Sequence, residues 1–355
     1  MSGRETAHEL RIDAARLRRF AAQVMARAGL RPDDAERVAD CLVYADQRGL
    51  ASHGVGRLPI YAKRLEMGIV NARPNMRFVR EDGAAATLDA DNGPGAVAAT
   101  LGMQKAIGLA WRHGVGACAV RESNHCGAMA YYTEMATAVG MIGVAATSAN
   151  PTVVPWGGRA TRLGTNPISV AAPTPGDVPF VLDAATSAVA RGKVILAAKD
   201  GTPIPEGWAV DAEGRPTTDP RAALEGALLP MAGPKGYGLA LAVDVLCGVL
   251  AGGAFGRGIG ALYNEFDRAQ RSGHFFLALD VARFVAPETF AGGMARMIAD
   301  LKATPPAAGF REVLLPGEPE AAAERQARET GVALPAAVVQ ELEDLSQRLG
   351  VSVPW

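Results

Sequence analysis

Five histidines are present in this 355-residue chain, and two of them, His53 in SHGVGR and His125 in SNHCGAM, sit in polar segments bordered by glycine. An unperturbed imidazole titrates near pH 6.5, so it can protonate a forming alkoxide and recover the proton in the reverse direction. A lone loop histidine is more often structural or solvated, and His8, His113 and His274 are read that way. Arg57 follows His53 by four residues, and on a loop entering a helix that spacing would put guanidinium and imidazole on one side of a pocket. Its planar fork matches a carboxylate in bidentate fashion; a surface arginine early in a helix is the competing reading. Ser52 could bond a neighbouring group or cap the helix that follows, and capping is the stronger expectation from the sequence alone.

Three further segments combine glycine with small and polar residues: PWGGRATRLGTNP at 155–167, DAATSAVARGK at 183–193 and LPMAGPKGYG at 229–238. Glycine lets backbone amides approach a ligand closely, and Lys235 before an apolar helix would add positive charge near a phosphate. Each pattern alone is weak, because glycine-rich turns commonly just connect elements. The usual dinucleotide fingerprint GxGxxG is missing, and the clusters GGAFGRGIG (252–260) and GPKGYG (233–238) have the wrong spacing, which disfavours a standard Rossmann domain. GxxxxGK[ST], HExxH and GxSxG are missing too, so kinase, metalloprotease and α/β-hydrolase readings lose support and no metal is expected.

The elements that must position these groups alternate between helix and strand. Leu10, Leu17, Phe20, Val24 and Ala28 recur at helical spacing; Asp33 and Asp34 open a second helix that ends near Gly49; and a third carries Leu58, Tyr61 and Leu65. From residue 96 the pattern reads helix (AVAATLGMQKAIGLAWRHG), strand (GACAVRE), helix (MAYYTEMATAVG), strand (MIGVAAT). ISVAAP, FVLDAAT and FFLALDV read as buried strands, KGYGLALAVDVLCGVLAG as a core helix, and the last 40 residues as helical again. No repeat or clear linker interrupts this α/β order.

Bulk composition fits an ordinary globular protein, with 49% hydrophobic and 21% charged residues. Thirty-six basic against 37 acidic residues leave a net charge of -1, which offers no footprint for nucleic acid. The four cysteines form no CxxC pair and read as reduced, mostly buried thiols. A charged N-terminus without a secretion-signal core, and no run of about 18 apolar residues, lead to the expectation of a cytoplasmic protein without membrane contact.

Taken in order, ADQRGLASHGVGRLPIY, SNHCGAMAYY, PWGG followed by LGTNPIS, LDAATSAVARGKV, LLPMAGPKGYGLAL and LLPGEPE resemble the malate/L-lactate dehydrogenase family of the non-Rossmann type. The resemblance runs from about residue 10 to 350. It implies an α/β fold with a mixed-sheet, nicotinamide-cofactor-binding part at 76–289 and a helical substrate and dimerisation part made from both chain ends, 1–75 and 290–355. It implies a homodimer using NAD or NADP on a small carboxylate such as malate, lactate, sulfolactate, ureidoglycolate, diketogulonate or a cyclic imine carboxylate.

Residue by residue, the resemblance makes His53 the proton donor of the imine-reducing branch, Ser52 its relay partner and Arg57 the substrate-carboxylate contact; the ureidoglycolate branch instead gives the acid/base role to His125. Both histidines are present, so either can serve. Thr165, Arg191 and Gly192 fall at substrate positions. Cofactor positions are His125, Cys126, Gly127, Ala128, Met129, Ser148, Asp183, Ala184, Ala185, Lys235, Gly236 and the stretch Val313 to Pro319 with Pro316, Gly317 and Glu318. The imine reductases carry an acidic relay residue where this chain has Lys193, which favours interconversion of a 2-hydroxy acid and its 2-oxo acid over imine reduction. Lys193 could steady a second carboxylate or a developing alkoxide, or simply be solvated. The contrasting possibility, a catalytically silent ligand-binding protein of the same fold, would be expected to have lost His53, His125 or Arg57.

Overall fold

The computed structural model describes residues 10–355; His8 lies outside them. The chain opens with strand β1 (Leu10–Ile12) and helices α1 (Ala14–Arg27), α2 (Pro32–Gln47) and α3 (Leu58–Glu66). Leu10 is therefore not part of the first helix, as its spacing suggested. Asp13 starts that helix by accepting a hydrogen bond from the Arg16 N–H, and Leu10 pairs instead with Leu334, in a strand at the other end of the chain.

Strands β2 (Arg77–Asp82) and β3 (Ala85–Asp89) form a hairpin; α4 (Gly95–His113) then leads to β4 (Val115–Ser123), α5 (Ala130–Thr137) to β5 (Met141–Thr147), and β6 (Ile168–Ala172) to β7 (Phe180–Ala184). Next come α6 (Arg191–Asp200), β8 (Ala209–Val210), β9 (Pro216–Thr217), α7 (Pro220–Glu225), β10 (Ala227–Leu228) and α8 (Pro234–Asp244). The chain closes with β11 (Ser272–Asp280), α9 (Pro287–Lys302), α10 (Glu318–Thr330), β12 (Val332–Leu334) and α11 (Ala336–Leu349).

A seven-stranded mixed sheet, ordered β2-β3-β4-β11-β5-β6-β7, is the frame of the molecule. Only β3 and β4 are parallel, joined through α4, which is buried along most of its length; the other neighbours are antiparallel. The late strand β11 enters the middle of the sheet, so the fold closes around a segment far along the chain. One hydrophobic core runs through Phe20, Leu42, Met103, Phe276 and Leu342, tying the terminal helices to the sheet, and each such side chain contributes about 1.5–3 kcal/mol by leaving water. A second core, including Val153, Leu163, Val189, Val194 and Leu228, lies around the small sheet β10-β8-β9.

Two expectations about burial fail. The apolar stretch after Lys235 does form a helix, continued by a π-helical turn over Val245–Val249, but only one side of it enters the core, through Ala240, Val243 and Cys247. Leu239, Leu241, Val245, Val249 and Leu250 face outward, between 42% and 59% exposed. Strand β7 is likewise half-open, with Leu182 outward, because it is the last strand of its sheet. Among the described residues no helix is long and apolar enough to cross a membrane.

Candidate active site

Helix α2 ends at a half-buried carboxylate that shapes the loop after it. Asp46 accepts the Val55 N–H at 2.7 Å, and Gly54 passes so close that a Cβ there would lie 1.7 Å from Asp46 Oδ1. Only glycine fits. The loop is thereby folded into two short 3-10 turns, Ala51–His53 and Val55–Arg57, which run directly into α3. Burial pushes the Asp46 carboxyl up to about 7, opposed by the Val55 N–H.

On this loop Ser52 Oγ lies 2.9 Å from His53 Nδ1, so Ser52 partners the imidazole and makes no capping bond to α3. Arg57 Nε donates to the Ser52 carbonyl at 2.7 Å, and its guanidinium carbon sits 5.2 Å from the Tyr263 ring centre. The rest of the guanidinium edge has no protein acceptor among the described residues. Burial, helped by the Arg57 charge, pulls the His53 imidazole down to about 4 and leaves it neutral at physiological pH.

The end of β4 brings the second histidine to the first. His125 stacks against His53 with ring centres 5.7 Å apart and planes 17° off parallel. Its Nδ1 lies 2.6 Å from Tyr61 Oη and accepts the Gly127 N–H at 3.3 Å, while its own backbone N–H donates to Gln270 Oε1. Burial, then the charge of Arg57, holds this imidazole well below its ordinary range. Behind it a cavity of about 30 Å³, lined by Tyr61, Arg64, Asn124 and Gln270 among others, has room for about one water. Ser52, His53, Arg57 and His125, foreseen from sequence, are thus brought together.

The remaining expected positions form separate groups. Cys126 is buried with its Sγ 3.6 Å from Met129 Sδ, Gly127 adopts φ +77°, and Ala128 is buried beside them. Asp183 accepts the Ala130 N–H at 2.8 Å, pinning the start of α5 to β7; burial lifts its carboxyl to about 6. Ala184 pairs with Ile168, followed by Ala185. The Ser148 hydroxyl is fully engaged with the backbone of Gly273, and the Thr165 carbonyl accepts both the N–H and the hydroxyl of Thr186. Arg191 reaches the Leu224 carbonyl at 3.3 Å, while Gly192 and Lys193 stand exposed on the first turn of α6. No hydrogen bond or ion pair joins these three to His53, His125 or Arg57. Pro316 and Glu318 line a cavity of about 310 Å³ against the 174–180 turn, with Gly317 at φ +96° between them. Glu318 is held by Lys302 and the Leu315 N–H.

A family model described as malate/L-lactate dehydrogenase matches residues 12–343. The chain belongs to the malate/L-lactate dehydrogenase family. It is 40% identical over 308 residues to the ureidoglycolate dehydrogenase (NAD(+)) of Escherichia coli K12, an alignment covering 87% of this chain and 88% of that protein. Over 309 residues it is also 40% identical to the (2R)-3-sulfolactate dehydrogenase (NADP(+)) of Chromohalobacter salexigens, covering 87% and 90%. The solved sulfolactate dehydrogenase of Methanocaldococcus jannaschii superposes with a TM-score of 0.91 at 36% identity, over 97% of this chain and 98% of that one.

The residues present in this malate/L-lactate dehydrogenase family member fit a nicotinamide dinucleotide. At the N-terminus of α8 the Lys235 and Gly236 N–H groups have no intrahelical acceptor, and the exposed Lys235 ammonium has no protein partner among the described residues. Gly236 lies against the chain so tightly that a Cβ would come 1.9 Å from the Met231 carbonyl. That contact fixes the first turn of α8 in place, and N–H groups without intrahelical acceptors beside an exposed positive charge suit a pyrophosphate.

Sequence reasoning missed Asp46, Gln270, Tyr263 and the site role of Tyr61. Tyr61 follows Arg57 by four residues on a helix, a signal that could have marked it as sharing that face. Gln270 and Tyr263 come from an irregular segment with no local pattern.

Proposed function

We propose that this NAD(P)-dependent oxidoreductase interconverts a small 2-hydroxy acid, malate- or lactate-like, and its 2-oxo acid. The observation that carries the reading is the convergence of two imidazoles, each with Nδ1 occupied and, among the described residues, Nε2 without a protein partner, beside a guanidinium with a free edge. Arg57 binds the substrate carboxylate, and the imidazoles meet the oxygen on the adjacent carbon. The 125–129 and 183–185 segments, Ser148, Lys235 with Gly236, and 313–319 hold the cofactor, which when bound supplies or accepts the hydride. Thr165, Arg191, Gly192 and Lys193 complete the substrate side. Lys193, standing where the imine reductases have an acid, favours the oxo-acid reaction over cyclic imine carboxylates. The ureidoglycolate, sulfolactate and malate/lactate names among the relatives agree with a small carboxylate bearing a hydroxyl on the neighbouring carbon.

The same reading includes a homodimer whose terminal part, 1–75 with 290–355, shapes the substrate side, and the 76–289 part the cofactor side. The outward apolar strip of Leu239, Leu241, Val245, Val249 and Leu250 supports such a pairing surface, since exposed patches of this kind mark interaction sites. A cytoplasmic setting is supported by four free, buried cysteines. The test is a panel of 2-oxo acids and a cyclic imine carboxylate with NADH and with NADPH, followed at the nicotinamide absorbance band. Turnover of oxo acids is expected; turnover of the imine alone would overturn the reading.

A further inference from the structure

His53 and His125 sit side by side with like chemistry, yet their Nδ1 partners differ in kind. His53 Nδ1 faces the Ser52 hydroxyl, which can donate or accept. His125 Nδ1 faces the Gly127 main-chain N–H at 3.3 Å, which can only donate, and Tyr61 Oη at 2.6 Å. The long 3.3 Å contact with a main-chain N–H favours a lone pair on Nδ1, and the much shorter Tyr61 hydroxyl bond, donated to that lone pair, is what holds the ring proton of His125 on Nε2. Burial strengthens both assignments, because it drives the Tyr61 phenol up, where it keeps its proton, and the His125 imidazole down, where it stays neutral. No protein acceptor takes the Nε2–H among the described residues.

We propose that Tyr61 is a positioning residue that locks His125 as the Nε2–H tautomer, so that His125 only donates a hydrogen bond to the substrate oxygen while the Ser52–His53 pair exchanges the proton. This rests on the functional reading above and divides its two histidines between two tasks. His53 can relay without becoming charged: as its Nε2 proton passes to the substrate oxygen, the Ser52 hydroxyl proton passes to Nδ1 and solvent reprotonates the exposed Ser52 oxygen. Oxidation runs the same transfers backwards. His125 has a poorer outlet, since its Nδ1 meets only the half-buried Tyr61 hydroxyl, which keeps its proton, and the Gly127 amide.

Long-range proton–nitrogen correlation spectra of the histidine-labelled full-length protein read the tautomer directly. In the wild type His125 is expected to show a protonated Nε2 and a bare Nδ1. Tyr61→Phe keeps the ring but removes the hydroxyl, and is expected to mix the two His125 tautomers and to lower kcat for 2-oxo acids about 10- to 100-fold, with NADH affinity within about twofold. Ser52→Ala is expected to leave the His125 spectrum unchanged. A wild-type His125 protonated at Nδ1, or a Tyr61→Phe protein that keeps both the single tautomer and its kcat, overturns the proposal. A wild type with the Nε2–H form but no turnover of any 2-oxo acid overturns the functional reading, and with it the destination given to the donor.

Discussion

Replacing Arg57 with methionine separates substrate recognition from cofactor binding. Methionine fills much of the same volume against Tyr263 but removes the charge, the donors and the Nε bond to the Ser52 carbonyl. Two unit charges about 4 Å apart attract by about 4 kcal/mol at an effective dielectric of 20, and solvent reaching this partly exposed group reduces that. A hydrogen bond to a charged group is worth about 1.5–3 kcal/mol. The loss of transition-state binding is therefore about 3–4 kcal/mol, or a fall in kcat/KM of about 10²- to 10³-fold for a 2-oxo acid. The lost bond to Ser52 should lower stability by about 1 kcal/mol. Because the Arg57 charge is the second cause depressing His53, after burial, the acid limb of the pH–rate profile should also move upward in the variant. Steady-state kinetics with a 2-oxo acid and with its uncharged amide test the role: the acid should lose most of its advantage over the amide, while NADH affinity holds. Equal losses for acid and amide, or no loss, would refute the assignment of the carboxylate to Arg57.

Other parts of the account are open to simpler measurements. Burial pushes the Asp46 carboxyl from its ordinary 3.8 up to about 7 in the folded chain, so between those pH values the native state binds more protons than the unfolded one and stability falls as pH rises. Relative to the wild type, Asp46→Asn should gain up to about 1.4 kcal/mol per pH unit across that window in denaturant titrations, and a constant difference would contradict the half-buried carboxylate. Gly236→Ala should lose about 1–3 kcal/mol of stability from overpacking and most of the thermal shift given by NADH or NADPH; a full shift in a folded variant would exclude Gly236 from the cofactor cradle. Changing both Leu241 and Val249 to Glu should move a dimer toward monomer in light-scattering chromatography, whereas an unchanged mass would put any pairing elsewhere.

How much was legible depended on how local each signal was. The helices α2, α3, α4 and α5 announce themselves through periodicity, and β4, β5 and β6 through apolar runs, because each buries a stripe or face set by neighbouring residues. Leu10 could not be read as strand, since its partner Leu334 is at the far end of the chain. Strand β2, RFVRED, is exposed at every position and carries no buried face to reveal it. The small sheet was invisible because its strands are two residues long. Composition shows that the stretch after Lys235 is apolar but not which side meets protein, so its outward face is invisible in the sequence. In the site, Ser52, His53, Arg57 and His125 stood out by type and glycine setting. Tyr61, Asp46, Gln270 and Tyr263 stayed hidden because their roles exist only once distant segments meet.

Transfer of label from the cofactor tests the central claim most directly. With NADH or NADPH carrying deuterium at the transferring position of C4, a wild-type reaction on an accepted 2-oxo acid should place deuterium on C2 of the 2-hydroxy acid, and Arg57→Met should slow its appearance with the carboxylate substrate. Deuterium arriving only from labelled water, or no labelled product from any 2-oxo acid with either cofactor, would contradict it.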